Sequence, residues 1–379
     1  MAIRWWLFGK LLPVVNVYDE RIETDMSKDD KHWIDLRSDT VTQPSEAMRR
    51  AMYAAEVADD TYDGDPTVLR LQELAAEKTG KEAALFVASG TMGNLIGVLV
   101  NTHPGQEVIL GDLSHQFLWE VGGIARIANC ITHTVPFRRG YLDSADIEAA
   151  IRESAREAAT TGLICIENTS NTGGGAVILP DHLSRISEVA KRNHLPIHMD
   201  GARLFNAVVA ARKPAESFTQ YVDTVAFCLS KGLGAPFGGL LCGSRELIED
   251  AISFRQILGG GMRQAGIMAA AGLVALESGI DRLAEDHANA KKLARGLAER
   301  FPGSCEPDIV ETNLFFINVA AFGIDGQALA DYLYSQGILV FAGQPRMRFA
   351  THLDVNKMDI ERVLSAFDQL RISRAALNN

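Results

Sequence analysis

The sequence lacks paired cysteines, long apolar runs and an excess of basic residues. No Cys-x-x-Cys pair occurs among its five cysteines, Cys130, Cys165, Cys228, Cys242 and Cys305. Isolated cysteines in apolar runs indicate free thiols in a reducing compartment, so we predict a cytoplasmic protein, and we predict no metal site. No uninterrupted apolar run is long enough to span a bilayer. The net charge of −11 argues against binding to nucleic acid or to anionic membranes.

The length of 379 residues exceeds what a single hydrophobic core usually serves. We therefore predict three parts: a poorly ordered N-terminal extension at 1–33, a large domain at 34–278 and a small C-terminal α+β domain at 279–379. The apolar run near the start is interrupted by Lys10 and Pro13. Because no small-residue cleavage site follows that run, the sequence disfavours a secretory signal.

Apolar strand-like runs alternate with helical patterns between Lys81 and Leu241. The runs at 84–87, 108–110, 163–166 and 224–229 are uniformly apolar instead of alternating with polar residues. Such runs are typical of strands that are buried on both faces of a parallel sheet. The sequence therefore predicts an α/β fold with a mostly parallel central sheet covered by helices.

One lysine follows the last of these runs directly. The run 224–229 ends in the glycine-rich turn Ser230–Gly234, which carries Lys231. A lysine at a sheet edge with little bulk around it suits an amine that forms a Schiff base with an aldehyde. Most lysines beside glycines are solvated loop residues, so this position needs support from other residues.

Support comes from Asp200, which ends the preceding predicted strand. Because the carboxyl ends of parallel strands meet at one edge of a sheet, we expect Asp200 and Lys231 to lie close together. A lysine and a buried carboxylate are the minimal equipment for pyridoxal 5'-phosphate (PLP), since the carboxylate keeps the pyridine nitrogen protonated.

Two further segments fit the same cofactor. Ser89, Gly90 and Thr91 lie between a predicted strand and an apolar helix predicted at 95–100, where backbone N–H groups can bind phosphate. The alternative is a plain tight turn. His115 follows the strand at 108–110 and could lay its ring on a cofactor, or it could simply cap a helix.

Together these motifs resemble the PLP-dependent L-threonine aldolases of fold type I, from about Ile34 to the C-terminus. The motifs that carry the resemblance are Leu36–Thr42, Ser89–Thr91, His115 with Glu120, Asp200–Arg203, Leu229–Gly234, Gly259–Gln264, and Arg348 before Thr351–Val355.

The resemblance implies a role for each matching residue around the cofactor. Lys231 would bind PLP covalently, Asp200 would pair with the pyridine nitrogen, and His115 would stack on the ring and assist proton transfer. Ser89, Gly90 and Thr91 would hold the phosphate.

The resemblance also implies how substrate and subunits are bound. Ser38, Arg203 and Arg348 would hold the substrate carboxylate, and Arg203 would also lie near the cofactor's phenolic oxygen. Arg263 and Tyr62 would reach the phosphate of a neighbouring subunit, because the family's sites lie at dimer interfaces of a homotetramer.

Two residues depart from the family pattern. Ser170 stands where the run Glu167–Asn171 often carries a histidine, and Gln256 replaces a lysine. We expect Ser170 to contact the substrate hydroxyl, and the base that deprotonates this hydroxyl stays open between His115 and a water held by His115 and Ser170.

The predicted reaction is retro-aldol cleavage of L-threonine or L-allo-threonine, and of related β-hydroxy-α-amino acids, to glycine and an aldehyde. The alternatives are a PLP-dependent β-eliminating lyase, an aminotransferase, or a binding protein of the same fold that has lost catalysis.

Overall fold

The computed structural model describes residues 32–62, 64–152 and 157–377. The predicted extension at 1–33 therefore lies outside the described residues, apart from His32 and Trp33. Nε2 of His32 forms a hydrogen bond of 2.8 Å with Oδ1 of Asp359. Within the described part, no helix has the length and apolarity needed to cross a membrane.

Strands and helices alternate through most of the described chain. The strands are β1 Ile34–Asp35, β2 Ala83–Val87, β3 Glu107–Gly111, β4 Ile131–Val135, β5 Phe137–Arg138, β6 Tyr141–Leu142, β7 Thr161–Glu167, β8 Ile197–Asp200, β9 Thr224–Cys228, β10 Gly239–Gly243, β11 Leu314–Asn318, β12 Ile338–Leu339 and β13 Arg346–Ala350. The helices are α1 Glu46–Tyr53, α2 Pro66–Thr79, α3 Gly90–Leu99, α4 His115–Leu118, α5 Gly123–Arg126, α6 Ser144–Ala150, α7 Pro180–Arg192, α8 Leu204–Ala211, α9 Glu216–Thr219, α10 Arg245–Ile257, α11 Gly266–Val274, α12 Leu283–Arg300, α13 Gly326–Ser335 and α14 Lys357–Leu377.

A seven-stranded sheet forms the centre of the fold, with the order β2-β10-β9-β8-β7-β3-β4. Strands β9, β8, β7, β3 and β4 are parallel, and β10 runs antiparallel to both of its neighbours. The predicted mostly parallel α/β sheet is therefore confirmed. All the parallel strands end at the same edge, which is where the polar residues of the site lie.

Both faces of this sheet are buried. Phe86, Ile109 and Ile164 face the largest core, while their neighbours Leu85 and Val108 face cores on the opposite side. Burial on both faces explains why the strands carry uniformly apolar runs instead of an alternating pattern.

The helix predicted at 95–100 begins earlier, at Gly90. Ser89 is its N-cap, and the serine hydroxyl accepts a hydrogen bond from the Met92 N–H at 3.2 Å. This bond satisfies one of the backbone donors that a helix start leaves free, so the capped helix extends back to the end of the turn.

The C-terminal residues pack around a second core that also contains the first described strand. Ile34 and Leu36 are fully buried in this core with Phe322, Phe349 and Phe367. Strand β1 pairs in parallel with β12. The division of the chain at 278 and 279 stays a prediction, and the N-terminal strand contributes to the smaller unit.

Candidate active site

Lys231 and Asp200 lie at the same edge of the central sheet, as their positions predict. Asp200 is the last residue of β8 and pairs in register with Ala226 of β9. Lys231 lies three residues beyond Cys228, the last residue of β9. The Lys231 carbonyl accepts from the Gly234 N–H at 2.8 Å, and Gly234 has a φ of +80°, which glycine adopts without strain.

His115 lies beside these two residues at the start of α4. Its Nδ1 is 2.9 Å from Oε1 of Glu120, and ring nitrogen and carboxylate oxygens of His115, Glu120 and Asp200 lie within 4.8 Å of one another. Burial acts to lower the pKa of His115, but the hydrogen bond to Glu120 and the charge of Asp200 outweigh it and leave the pKa above its usual value. The imidazole thus takes up a proton readily.

Glu167 is a site residue to which the sequence analysis assigned no role. It ends β7 in register with Asp200, is 4% exposed, and accepts from the N–H groups of His115 and Asn171, both at 2.7 Å. Burial, followed by the nearby charge of Asp200, raises the pKa of Glu167 to about 7. The sequence could have indicated Glu167 as a site residue, because it directly follows a predicted strand, as Asp200 does.

Arg203 is held by a carboxylate that the sequence analysis did not single out. Its Nε and Nη2 donate to the two carboxylate oxygens of Asp39, each at 2.7 Å, and Asn313 donates to the same carboxylate at 3.1 Å. Burial would raise the pKa of Asp39, but the guanidinium of Arg203 overrides it and holds the pKa well below its usual range. Asp39 therefore fixes the orientation of Arg203.

Arg348 of β13 extends toward the same region from the smaller unit. Its Nη1 donates to Oδ1 of Asn171 at 2.6 Å, and its Nη2 donates to the carbonyl of Arg37 at 3.0 Å. Burial and the neighbouring charge of Arg203 lower the pKa of Arg348 to about 10. Because the charge of Arg203 acts on Arg348, a carboxylate near both guanidiniums would be favoured.

Ser38 lies in the chain between Arg37, whose carbonyl accepts from Arg348, and Asp39, which pairs with Arg203. It is buried, and its hydroxyl accepts from the N–H and hydroxyl of Thr40, at 3.2 and 2.9 Å. The hydroxyl hydrogen of Ser38 is left to donate to a ligand.

The segment predicted to bind phosphate lies at the N-terminus of α3. Thr91 is exposed there, and a Cβ on Gly90 would approach Sγ of Cys228 to 2.5 Å. Glycine thus lets this helix start lie directly against the end of β9, three residues before Lys231. The free backbone N–H groups and the helix dipole suit an anion at this place.

Three predicted site residues have contacts other than those predicted for them within the described chain. Arg263 lies over the ring of the exposed Tyr62, 6.0 Å from its centroid, and its side chain contacts Thr61. Ser170 is fully buried, and its hydroxyl accepts from the Gly173 N–H at 3.0 Å.

The lysine, the buried carboxylate and the histidine at one edge of a helix-covered parallel sheet define the class of the fold type I, PLP-dependent transferase-like proteins. A model of the family described as β-eliminating lyase matches residues 35–321. The chain belongs to this family and, within it, to the group of the low-specificity L-threonine aldolases. The resemblance seen in the sequence is thereby confirmed.

Two relatives show how much of the chain this similarity covers. Low-specificity L-threonine aldolase 1 of Arabidopsis thaliana is 44% identical over 346 residues, which are 90% of this chain and 97% of the relative. Low specificity L-threonine aldolase of Escherichia coli K12 is 42% identical over 331 residues, covering 87% of this chain and 97% of the relative.

Solved structures agree with the fold. A threonine aldolase of Leishmania major superposes with a TM-score of 0.76 at 19% identity, covering 89% of this chain and 99% of its own. A putative L-allo-threonine aldolase of Listeria monocytogenes gives 0.71 at 22% identity, with 86% and 92% covered.

Proposed function

We propose that this protein is a PLP-dependent carbon–carbon lyase that cleaves L-threonine, L-allo-threonine and related β-hydroxy-α-amino acids to glycine and an aldehyde. The observation that carries the proposal is the placement of Lys231 and Asp200 at the ends of two neighbouring parallel strands, beside His115. The names of the relatives, which are low-specificity L-threonine aldolases, support this substrate class.

The residues at the sheet edge fit PLP by their chemistry. An amine, an anionic carboxylate, a flat imidazole and a glycine-containing helix start are the groups that its aldehyde, pyridine nitrogen, ring face and phosphate require. Lys231 would bind it covalently, Asp200 would pair with its nitrogen, and Ser89, Gly90 and Thr91 would hold its phosphate. When bound, PLP supplies an electron-accepting ring for the electrons of the broken Cα–Cβ bond.

Substrate orientation is assigned to the two arginines. Arg203 and Arg348 would bind the substrate carboxylate with Ser38, since a guanidinium matches a carboxylate with two parallel hydrogen bonds. Fixing the carboxylate sets the rotation about the Cα–N bond and so decides which bond at Cα is broken.

His115 is our candidate for the base that removes the proton of the substrate hydroxyl. Because the Glu120 carboxylate accepts a hydrogen bond from Nδ1, the proton of a neutral His115 resides there and Nε2 is free to accept another. A water held by His115 and Ser170 is the alternative base. Ser170 is proposed to contribute at the hydroxyl side by holding this water, since its oxygen accepts from the Gly173 N–H and its hydroxyl hydrogen is left to donate.

Turnover of purified protein with L-threonine tests this proposal. We expect acetaldehyde and glycine in equal amounts, together with a visible absorption band from the bound cofactor. Lys231→Ala should abolish both, whereas Lys191→Ala, a substitution at an exposed lysine on α7, should change neither. Absence of acetaldehyde from a protein that shows the absorption band would refute the proposed reaction.

The family description keeps β-elimination as a second candidate. Incubation with L-serine and with cysteine derivatives distinguishes the two reactions, since elimination releases pyruvate and ammonia. An aminotransferase would instead require an added keto acid and would form a new amino acid.

We also propose a cytoplasmic homotetramer, a dimer of dimers with shared sites. Exposed apolar side chains near the site support assembly, among them Trp119 and Val121, with 50% and 78% of their surface exposed. Arg263 and Tyr62, which contact each other on the surface, would then complete a neighbour's phosphate site. Mixing inactive Lys231→Ala and Arg263→Ala subunits should restore part of the activity if sites are shared. Sedimentation of the protein at the mass of a monomer would refute the assembly.

A further inference from the structure

A chain of buried side-chain hydrogen bonds joins the central sheet to His115. Thr224 Oγ1 lies 2.9 Å from Nδ1 of His198, and Nε2 of His198 lies 3.2 Å from Oδ1 of Asn94. The Asn94 amide nitrogen donates to Oε1 of Glu120 at 2.8 Å, and the same oxygen lies 2.9 Å from Nδ1 of His115. We call these five residues the His198 chain.

With Glu120 ionised, the direction of every bond in the His198 chain is determined. Only the nitrogen of the Asn94 amide can donate to a carboxylate, so its oxygen accepts from Nε2–H of His198. Nδ1 of His198 then accepts from the hydroxyl of Thr224, whose oxygen in turn accepts from Asn101 at 3.0 Å. This pattern requires a neutral His198, and burial lowers the pKa of this histidine to about 4. Donors and acceptors match throughout.

The fold makes room for the His198 ring at a cost to α3. Gly97 lies in the interior of that helix, where glycine weakens a helix relative to alanine. A Cβ at Gly97 would lie 2.3 Å from Cε1 of His198. The His198 ring is fully buried, and both of its nitrogens have hydrogen-bond partners.

We propose that Asn94 and His198 are positioning residues for the proton of His115. They hold the Glu120 carboxylate in the orientation that keeps the proton on Nδ1 of His115. Nε2 is then free to accept the proton of the substrate hydroxyl. If the His198 ring were lost, the Asn94 amide could rotate and turn its oxygen toward Glu120. The role of Nε2 toward the substrate rests on the proposed aldolase function, whereas the position of the proton on His115 does not.

The titratable groups that face His115 come from four segments. They are Glu120 on the following turn, Glu167 at the end of β7, Asp200 at the end of β8 and Lys231 after β9. The carboxylates favour the protonated imidazole and Lys231 opposes it. Weakening the anionic form of Glu120 should therefore lower the pKa of His115.

Two substitutions of similar volume separate hydrogen bonding from packing. His198→Gln keeps a donor that can reach Asn94, whereas His198→Met does not. In the holoenzyme, the pH dependence of His115 carbethoxylation by diethylpyrocarbonate reports the neutral imidazole, with His115→Asn as the blank. For His198→Met we expect the midpoint to fall by about one pH unit, and for His198→Gln we expect it near that of the unmodified protein. Equal midpoints for the Met variant and the unmodified protein would overturn the proposal.

Further variants test the proposal even if His198→Met does not fold. Asn94→Leu removes the hydrogen bond between Asn94 and Glu120 and should lower the midpoint as much as His198→Met does. The double variant should lower it no further, because both substitutions disrupt the same series of hydrogen bonds and their effects are therefore not additive. Should His198→Met fail to fold, Asn94→Leu decides the outcome in the same way. His133→Met, at a histidine of the outermost strand β4 that is hydrogen-bonded to Glu107 at the start of β3, is the matched control and should leave the midpoint unchanged.

Activity data distinguish failure of this proposal from failure of the proposed function. If the unmodified protein cleaves threonine but the midpoint does not move in either variant, only the role of the His198 chain is refuted. If the midpoint moves but no aldehyde forms from any β-hydroxy-α-amino acid, the chain is supported and the aldolase function is refuted.

Discussion

Replacement of Asp39 by asparagine should weaken both the fold and the binding of substrate. Asp39 is fully buried, and Arg203, which it pairs with, is 6% exposed. The substitution preserves the shape of the side chain but removes the negative charge, and it removes one of the two oxygens that accept hydrogen bonds of 2.7 Å from the Arg203 guanidinium. Removing one partner of a buried ion pair costs about 3–5 kcal/mol, because the other charge stays buried.

The pair between Arg300 and Asp368 provides the control. It also joins an arginine to an aspartate, at 2.9 Å, but its side chains are 25% and 34% exposed. Because this pair is much more exposed than the pair of Asp39 and Arg203, its contribution is on the order of 1 kcal/mol, and Asp368→Asn should shift the unfolding midpoint less than Asp39→Asn. Urea unfolding followed by fluorescence measures both shifts.

Substrate binding adds a second measurement. Without Asp39, Arg203 loses its fixed orientation, and we expect the KM for L-threonine to rise roughly tenfold, as loss of about 1.4 kcal/mol implies. Because the pKa of Asp39 is depressed, its contribution to stability is present above the pKa of the unfolded carboxyl and is lost as the pH falls through the folded pKa. An unchanged KM, or equal destabilisation by Asp39→Asn and Asp368→Asn, would refute this reasoning.

Three further predictions concern the helix, the acid group and the substrate arginine. Gly97→Ala should destabilise the protein by about 1–3 kcal/mol in thermal unfolding, because its Cβ overlaps the ring of His198. Glu167→Gln should cost more stability at pH 5 than at pH 8. The pKa of Glu167 is raised to about 7 in the folded protein. In the unmodified protein, protonation of Glu167 therefore stabilises the fold fully below about pH 4.5, and this stabilisation is lost as the pH rises through 7. Arg348→Lys should raise the KM for L-threonine roughly tenfold or more with kcat less affected, since an ammonium cannot make two parallel bonds to a carboxylate.

Matched variants check each of these. Gly123→Ala places its Cβ no closer than 3.7 Å to any neighbour and should be tolerated. Arg346→Lys, two residues before Arg348, replaces a side chain that packs over the ring of Phe316 and should leave KM unchanged. A stability difference for Glu167→Gln that is the same at both pH values would contradict the raised pKa.

The position of the central site could be predicted because it depends on strand ends. The predicted strands before Asp200 and Lys231 located β8 and β9, and these two residues lie at or just beyond the carboxyl ends of those strands. His115 and the turn at Ser89, Gly90 and Thr91 followed from the same rule, since both segments follow strands that end at one edge of the sheet.

Contacts between distant segments could not be predicted from local pattern. Asp39 and Arg203 are 164 residues apart, and nothing in either segment indicates the other as a partner. Strand β1 has only two residues, too few to show a period, and its pairing with β12 depends on the fold of the smaller unit. The start of α3 was placed late because the helix signal was read from apolar residues alone, without the cap at Ser89.

The two arginines that we propose bind the substrate carboxylate come from different parts of the chain. Arg203 follows β8 of the central sheet, and Arg348 lies in β13 of the smaller unit, where its Nη2 is bonded to Arg37 beside the buried Ser38. An amino-acid carboxylate bound by both would act as a tie between the two units, neutralising charges that repel each other. Binding of the carboxylate would then stabilise the packing of the two units against each other, and an amine without a carboxylate would not.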